Sequence, residues 1–370
     1  MRIGWLDTMR VLASLIVIFS HYAYIAGKAP AVQHFFQTYI FNIGSIGVIV
    51  FFAVSGYLAA NSLEHSKSIL EFYRRKLIRI IVPFTVAYIF ISVFLTLLGV
   101  FSPKISAFSP ISKVMLPDGS GWAFVVGMLP LAADDNVTKF FQLPNYRMIG
   151  EWFIGTIVWL YLISPLVFKC LKKNLIISTV IIVAISLSLF KFGNLPSPLT
   201  FFMVRLPEFS FGMILFILED FINKNDRKVF TIMSVLGIIL VAYGLIFGNP
   251  EKSIFARIIL GTPLNLFQYI FAAAIISYFA YVLVKFLNEK FERSMEYFNS
   301  FSNVSYVAML IHHFVIYRLN DLYHFTKLGK FGVVFFLIVT IFATVFLSEQ
   351  IHKVYKPLEE RLIKRRLFLE

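Results

Sequence analysis

Apolar runs of about twenty residues, each bounded by charge, Pro or Gly, recur along almost the whole of this 370-residue chain. As a helix, a run of that length crosses the roughly 30 Å hydrocarbon core of a bilayer, and within lipid only helices and closed barrels satisfy every backbone polar group. The runs lie at 8–27, 44–63, 80–101, 150–170, 174–192, 204–222, 229–247, 264–286, 303–323 and 331–350. The expected fold is therefore an all-α integral membrane protein of about ten transmembrane helices. Composition agrees, with 59% hydrophobic and 15% charged residues, against about a quarter charged in soluble domains. A water-soluble globule is excluded, and ten spans joined by short loops leave no room for a separate soluble catalytic domain.

Placing the cations orients the chain. With the N-terminus inside the cell, 21 of the 34 lysines and arginines fall on the cytoplasmic side and twelve on the other, while Arg10 lies within the first span. Both termini are expected in the cytoplasm. The formal charge of +14 thus reads as orientation rather than nucleic-acid binding, and no nucleic-acid partner is expected. A cleavable signal peptide is rejected because Asp7 and Arg10 would stand inside its apolar core. The longest stretch between spans, about 102–148, is expected outside, carrying Pro103, Pro110, Pro117 and the turn Asp118-Gly119-Ser120-Gly121. Its part from Trp122 to Ala133 either lies along the outer interface or packs on the helices. About 351–370 reads as a basic cytoplasmic tail, and 1–370 as a single membrane domain. Cys170, the one cysteine, excludes an intramolecular disulfide and receives no role.

Ionisable groups inside spans cost about 2.5–3.5 kcal/mol at the bilayer centre and so need a partner or a task. On the first helix Arg10 and His21 differ by about 20° in direction at 100° per residue. Ser14 and Tyr24 lie within about 40° of Arg10, making a polar stripe that puts His21 roughly 16 Å deeper than Arg10. A buried histidine bonded to a carbonyl is the plain alternative for His21. The run Arg74-Arg75-Lys76-Leu77-Ile78-Arg79 before Pro83 is either an orientation signal or an anion site. Glu151 opens the fourth span, and Arg205 and Glu208, three apart, are spaced to pair. His312 and His313 point about 100° apart on a helix, so no metal site is expected there.

Leu6-Asp7-Thr8-Met9-Arg10, ten further residues and His21 resemble the opening signature of the acyltransferase-3 family, membrane-bound O-acyltransferases of bacterial surface polysaccharides. Gly47-Val48-Ile49-Val50-Phe51-Phe52-Ala53-Val54-Ser55-Gly56-Tyr57-Leu58 and the basic run before Pro83 resemble its next segments. Glu151-Trp152-Phe153 with Tyr161 and Pro165, Arg205 to Gly212, and Ser302 to His312 follow in the family's order. One departure stands out: Lys76 occupies the first position of the family's Arg-x-x-Arg pair, keeping charge without the bidentate fork.

The resemblance implies transfer of an acyl group, acetyl first, from cytoplasmic acyl-coenzyme A to a sugar hydroxyl of an exported or cell-surface glycan or lipid-linked glycan. It implies a multi-pass protein of the bacterial inner membrane, bounded by membrane lipids and able to form a homo-oligomer. Arg10, Arg75, Lys76 and Arg79 would bind the phosphates of acetyl-CoA, the co-substrate. His21 would be the general base, or a nucleophile forming an acyl-imidazole, with Asp7 pairing Arg10 and with Glu151 and His312 as supporting residues. The chain is expected to be a stand-alone membrane domain without the hydrolase-like domain of many relatives. The rival reading is a transporter or flippase for an organic acid or lipid-linked sugar; the paired halves common in such proteins are not found. A scaffold or sensor is a third reading, opposed by the intact Arg10 and His21 pair.

Overall fold

The computed structural model describes residues 4–30, 32–33, 43–101, 125, 127–142, 149, 152–225 and 266–364. Twelve α-helices and three short 3-10 turns account for most of them, and no strand occurs among the described residues. In chain order the helices are α1 (Gly4–Ala26), α2 (Gly44–His65), α3 (Ile69–Phe101), α4 (Asp135–Phe140), α5 (Trp152–Lys173) and α6 (Leu175–Phe192). They continue with α7 (Leu206–Ile217), α8 (Glu219–Lys224), α9 (Leu266–Lys290), α10 (Glu292–Ser300), α11 (Ser302–Tyr323) and α12 (Gly329–Lys364). Six of them, α1, α2, α3, α5, α6 and α12, contain segments long and apolar enough to cross a membrane.

The expected spans at 264–286 and 303–323 are present as α9 and α11, outside that set of six. The run at 204–222 is not one helix: α7 ends after twelve residues and Leu218, at φ −95° and ψ 4°, turns the chain into α8. The run at 229–247 lies outside the described residues.

Local chemistry moves two boundaries. The third helix begins at Ile69 rather than 80, because the Ser68 hydroxyl accepts from Glu71 N–H (3.1 Å) while the Glu71 carboxylate accepts from Lys67 N–H (2.9 Å), a cap that starts the helix eleven residues early. The basic run therefore lies on the helix itself. At the other end of the chain, residues 351–364 continue α12 instead of forming a tail. Ile351, Tyr355 and Glu359, four apart, stay buried, so one stripe of the extension is held against the bundle.

The proline inside α5 is accommodated by a side chain. Pro165 cannot donate to the Tyr161 carbonyl four residues back, and the Ser164 hydroxyl donates to it instead at 2.8 Å. Near Pro83 the Ile80 carbonyl accepts from the Tyr306 hydroxyl at 3.2 Å, tying α11 to α3. Where α2 meets α7 the backbones touch. A Cβ on Gly56 would stand 1.8 Å from the Phe209 carbonyl oxygen, and one on Gly212 would stand 1.8 Å from that of Ala53. Small residues permit this approach, which lipid-embedded helices use in place of a hydrophobic drive.

The described part of the stretch between α3 and α5 packs on the helices. The Thr85 hydroxyl donates to the Met128 carbonyl (2.9 Å), and Asp134 caps α4 by accepting from the Asn136 and Val137 N–H groups. Asp134 also lies against Gly155 of α5 so closely that any Cβ there would clash. Residues 102–124 lie outside the described residues.

Candidate active site

Helices α1 and α11 run parallel in a constant register. Thr8 donates to Asn299 Oδ1 (2.5 Å), just before α11, Ser14 donates to the Ser305 carbonyl (3.4 Å), and His21 Nδ1 lies 2.7 Å from His312 Nε2, each pair 291 positions apart. The polar stripe of α1 thus faces a second polar stripe. At its base, Asn288 of α9 donates to the Thr8 hydroxyl (2.8 Å) and Asn299 donates to Asn288 Oδ1 (3.1 Å), closing a small amide and hydroxyl network. Tyr24 leaves the stripe; it is exposed, with the Lys28 ammonium 5.2 Å from its ring centre.

At the deep end three imidazoles meet. The His312 ring is fully buried, and its Nδ1 lies 2.9 Å from the Met309 carbonyl, which can only accept. That contact puts the His312 proton on Nδ1 and leaves Nε2 as an acceptor, so His21 Nδ1–H donates to it. The geometry suits an in-plane bond: the two rings are 7° from parallel with centres 5.0 Å apart, too far for their 2.7 Å nitrogen contact to be a face-to-face stack. A neutral His21 so held carries its lone pair on Nε2. His313 completes the group, its Nε2 2.5 Å from His21 Nδ1 and its ring 86° to that of His21. The expectation that adjacent histidines diverge too far to share a centre is thereby corrected. His21 projects from the neighbouring helix into the angle between them, so two directions about 100° apart still converge on it.

Toward the N-terminal end of α1 the cations gather. Lys76 and Arg79, three apart, share a face of α3, and the charges of Arg79 and Arg10 both act on the Lys76 ammonium. Lys76 is buried; it donates to the Leu58 carbonyl at 2.8 Å and lies 5.3 Å from the Tyr161 ring centre. Arg10 and Arg79 also act on the Tyr161 hydroxyl, which is hydrogen-bonded to Ser55. Asp7 is buried beside Arg10, but their 3.4 Å separation is longer than a tight charge-assisted bond of about 2.7–2.9 Å. Arg10 keeps 38% of its side chain exposed. Arg75 takes another direction and pairs with Glu71 at 2.6 Å.

Arg205 and Glu208 pair as their spacing suggests, at 2.7 Å and buried, with the Arg205 guanidinium 5.2 Å from the Trp152 ring centre. Glu151 lies outside the described residues. Of the sequence-derived candidates, the fold thus gathers His21 with His312 and Arg10 with Lys76, Arg79 and Asp7. Sequence reasoning missed His313 and the Thr8, Asn288 and Asn299 network. The doublet His312-His313 was the visible signal for the former, whereas the latter joins three segments and had none.

Comparisons with known proteins identify the family. A family model described as an acyltransferase domain matches residues 3–349. An O-acetyl transferase of Shigella phage Sf6 is 26% identical over 251 residues, covering 64% of this chain and 69% of that protein. No solved structure matches the chain.

Proposed function

The chain belongs to the acyltransferase-3 family, and from that premise we propose that it transfers an acetyl group from cytoplasmic acetyl-CoA to a sugar hydroxyl of an exported or surface glycan, with His21 as general base. The observation that carries the base assignment is the proton chain from His21 Nδ1–H to His312 Nε2 and from His312 Nδ1–H to the Met309 carbonyl, which leaves the His21 lone pair on Nε2. An imidazole in that tautomer near neutral pH is matched to removing a hydroxyl proton.

The chemistry then runs in two halves. The acceptor hydroxyl gives its proton to His21 Nε2 as its oxygen attacks the thioester carbonyl; the C–S bond breaks, and the leaving thiolate takes that proton from the imidazolium. Hydrogen bonding to His312 holds the ring while it carries the charge. At the other end of the stripe, Arg10, Lys76 and Arg79 supply charge for the phosphates of coenzyme A. The rise of about 16 Å from Arg10 to His21 matches an extended pantetheine arm. The O-acetyl activity of the phage relative favours acetyl as the group carried.

The test is His21→Gln, which keeps a polar side chain of similar reach and removes the base. We expect an inserted, folded protein whose glycan acetylation, read by mass spectrometry at equal protein level, falls by about 10²–10⁴-fold. Acetylation close to the parent level would remove His21 from the chemistry.

A further inference from the structure

Two ring nitrogens crowd a third. His21 Nδ1 lies 2.7 Å from His312 Nε2 and 2.5 Å from His313 Nε2, and one nitrogen from each ring falls within 4.8 Å of the others. In the ring plane an imidazole nitrogen holds one proton or one lone pair. One hydrogen bond therefore satisfies Nδ1, and the in-plane contact with His312 uses it. The contact with His313 comes crosswise, with ring centres only 4.1 Å apart. A cation at this point would engage all three nitrogens at once.

The surroundings are those of a ligand set. His312 donates its Nδ1–H to the Met309 carbonyl, the outer bond that almost always fixes a metal-binding imidazole and leaves its other nitrogen with a lone pair to offer. Three imidazoles without carboxylate or thiolate suit a borderline ion such as zinc, and three protein ligands leave a fourth position for a water or substrate atom. Nitrogens around a tetrahedral zinc at about 2.0–2.1 Å stand roughly 3.3 Å apart, so His21 has to draw back from its two neighbours by less than about 1 Å while the nitrogens of His312 and His313, within 4.8 Å of each other, close by at most about 1.5 Å.

We propose that His21, His312 and His313 form a binding site for a divalent transition-metal ion of the zinc class, and that filling it switches acyl transfer off. An ion on Nδ1 takes the place of the proton there. The ring stays neutral when that proton moves to Nε2, and Nε2 is the atom that must be bare to accept the hydroxyl proton. The site stands on geometry alone. The switch rests on the general-base reading above.

The experiment uses the full chain in lipid nanodiscs, purified through a tag without histidines and stripped with a chelator, then dialysed against Zn²⁺ or Co²⁺. We expect one ion per chain, a Co²⁺ absorption band typical of four-coordinate nitrogen ligation, and binding at least about tenfold weaker in His313→Gln and in His313→Phe. Monodisperse elution and an unchanged melting temperature without metal show that each variant is folded. A parent that binds no stoichiometric ion at micromolar metal, or folded His313 variants that bind as tightly as the parent, would overturn the site. For the switch, acetylation by the parent should fall along its own zinc-binding curve and return with chelator. Stoichiometric binding with an unchanged or faster rate would sink the switch and leave the site standing. Loss of the base reading is recognised separately, by retained activity of His21→Gln.

Discussion

Lys76 and Arg79 sit on one face of α3 within the electrostatic reach of Arg10, while their neighbour Arg75 pairs with Glu71 at the surface. Cations that look equivalent in the run 74–79 therefore have different expected roles. Losing one charge-assisted bond to a phosphate costs about 1.5–3 kcal/mol, or roughly ten- to a hundredfold in donor affinity. Arg10→Ala, Lys76→Met and Arg79→Ala should each raise the KM for acetyl-CoA by about that factor, whereas Arg75→Ala should change it less than about threefold. Titration of purified variants with acetyl-CoA checks this; an Arg75→Ala defect as large as that of Arg79→Ala would place the phosphates elsewhere. Because Lys76 is buried over Tyr161 and bound to the Leu58 carbonyl, a larger guanidinium there would strain the packing. Lys76→Arg is accordingly expected to weaken the protein rather than improve donor binding by restoring the family's arginine.

Among elements, α2 and α7 form the tightest joint of the molecule that the described residues contain. Gly56 and Gly212 each face a backbone carbonyl of the other helix, and a methyl group would stand 1.8 Å from that oxygen. Backbone cannot yield as the end of a flexible side chain does. Gly56→Ala and Gly212→Ala should each push the helices apart, with a destabilisation above the usual overpacking cost of about 1–3 kcal/mol. Thermal unfolding in detergent reads the loss; melting temperatures within about 2 °C of the parent would show that the two helices do not need this contact. Since α2 also supplies the Leu58 carbonyl to Lys76 and the Ser55 partner to Tyr161, the same substitutions should loosen the cationic cluster.

For the whole molecule, the contacts between helices sort into two ends. Thr8 with Asn299, Arg74 with the Ile363 carbonyl, Lys172 with Glu64 and Lys285 with Asn223 gather at one. Thr85 with Met128, Thr156 with Thr200, Lys139 with Ser197 and Tyr22 with the Val333 carbonyl gather at the other. Between them the outward faces are apolar, with Val180, Ile338 and Phe342 each more than half exposed, surface that lipid would cover. The positive-inside rule leads us to expect the first end in the cytoplasm. After Cys170→Ser, a cysteine replacing exposed Phe140 should react with an impermeant thiol reagent in intact cells, and one replacing exposed Tyr297 only after lysis. Reversed labelling would invert the topology and detach the cationic cluster from the cytoplasmic coenzyme A pool.

Helical class, most span positions, and the pairing of Arg10 with His21 on one face could be read directly from residue order, because each depends on hydropathy or on the fixed 100° step within a single helix. Basic residues at 74–79 were likewise visible as a group, but which of them act together depends on what packs against α3. Tertiary structure alone decided that α1 and α11 lie parallel at an offset of 291. That offset follows from side-chain interlocking between segments far apart in the chain, for which local periodicity carries no information. It turns His21, a lone histidine by sequence, into the centre of three imidazoles. It also reverses the argument from divergence: the direction between His312 and His313 is fixed within their helix, but the point on which they converge is supplied by another one.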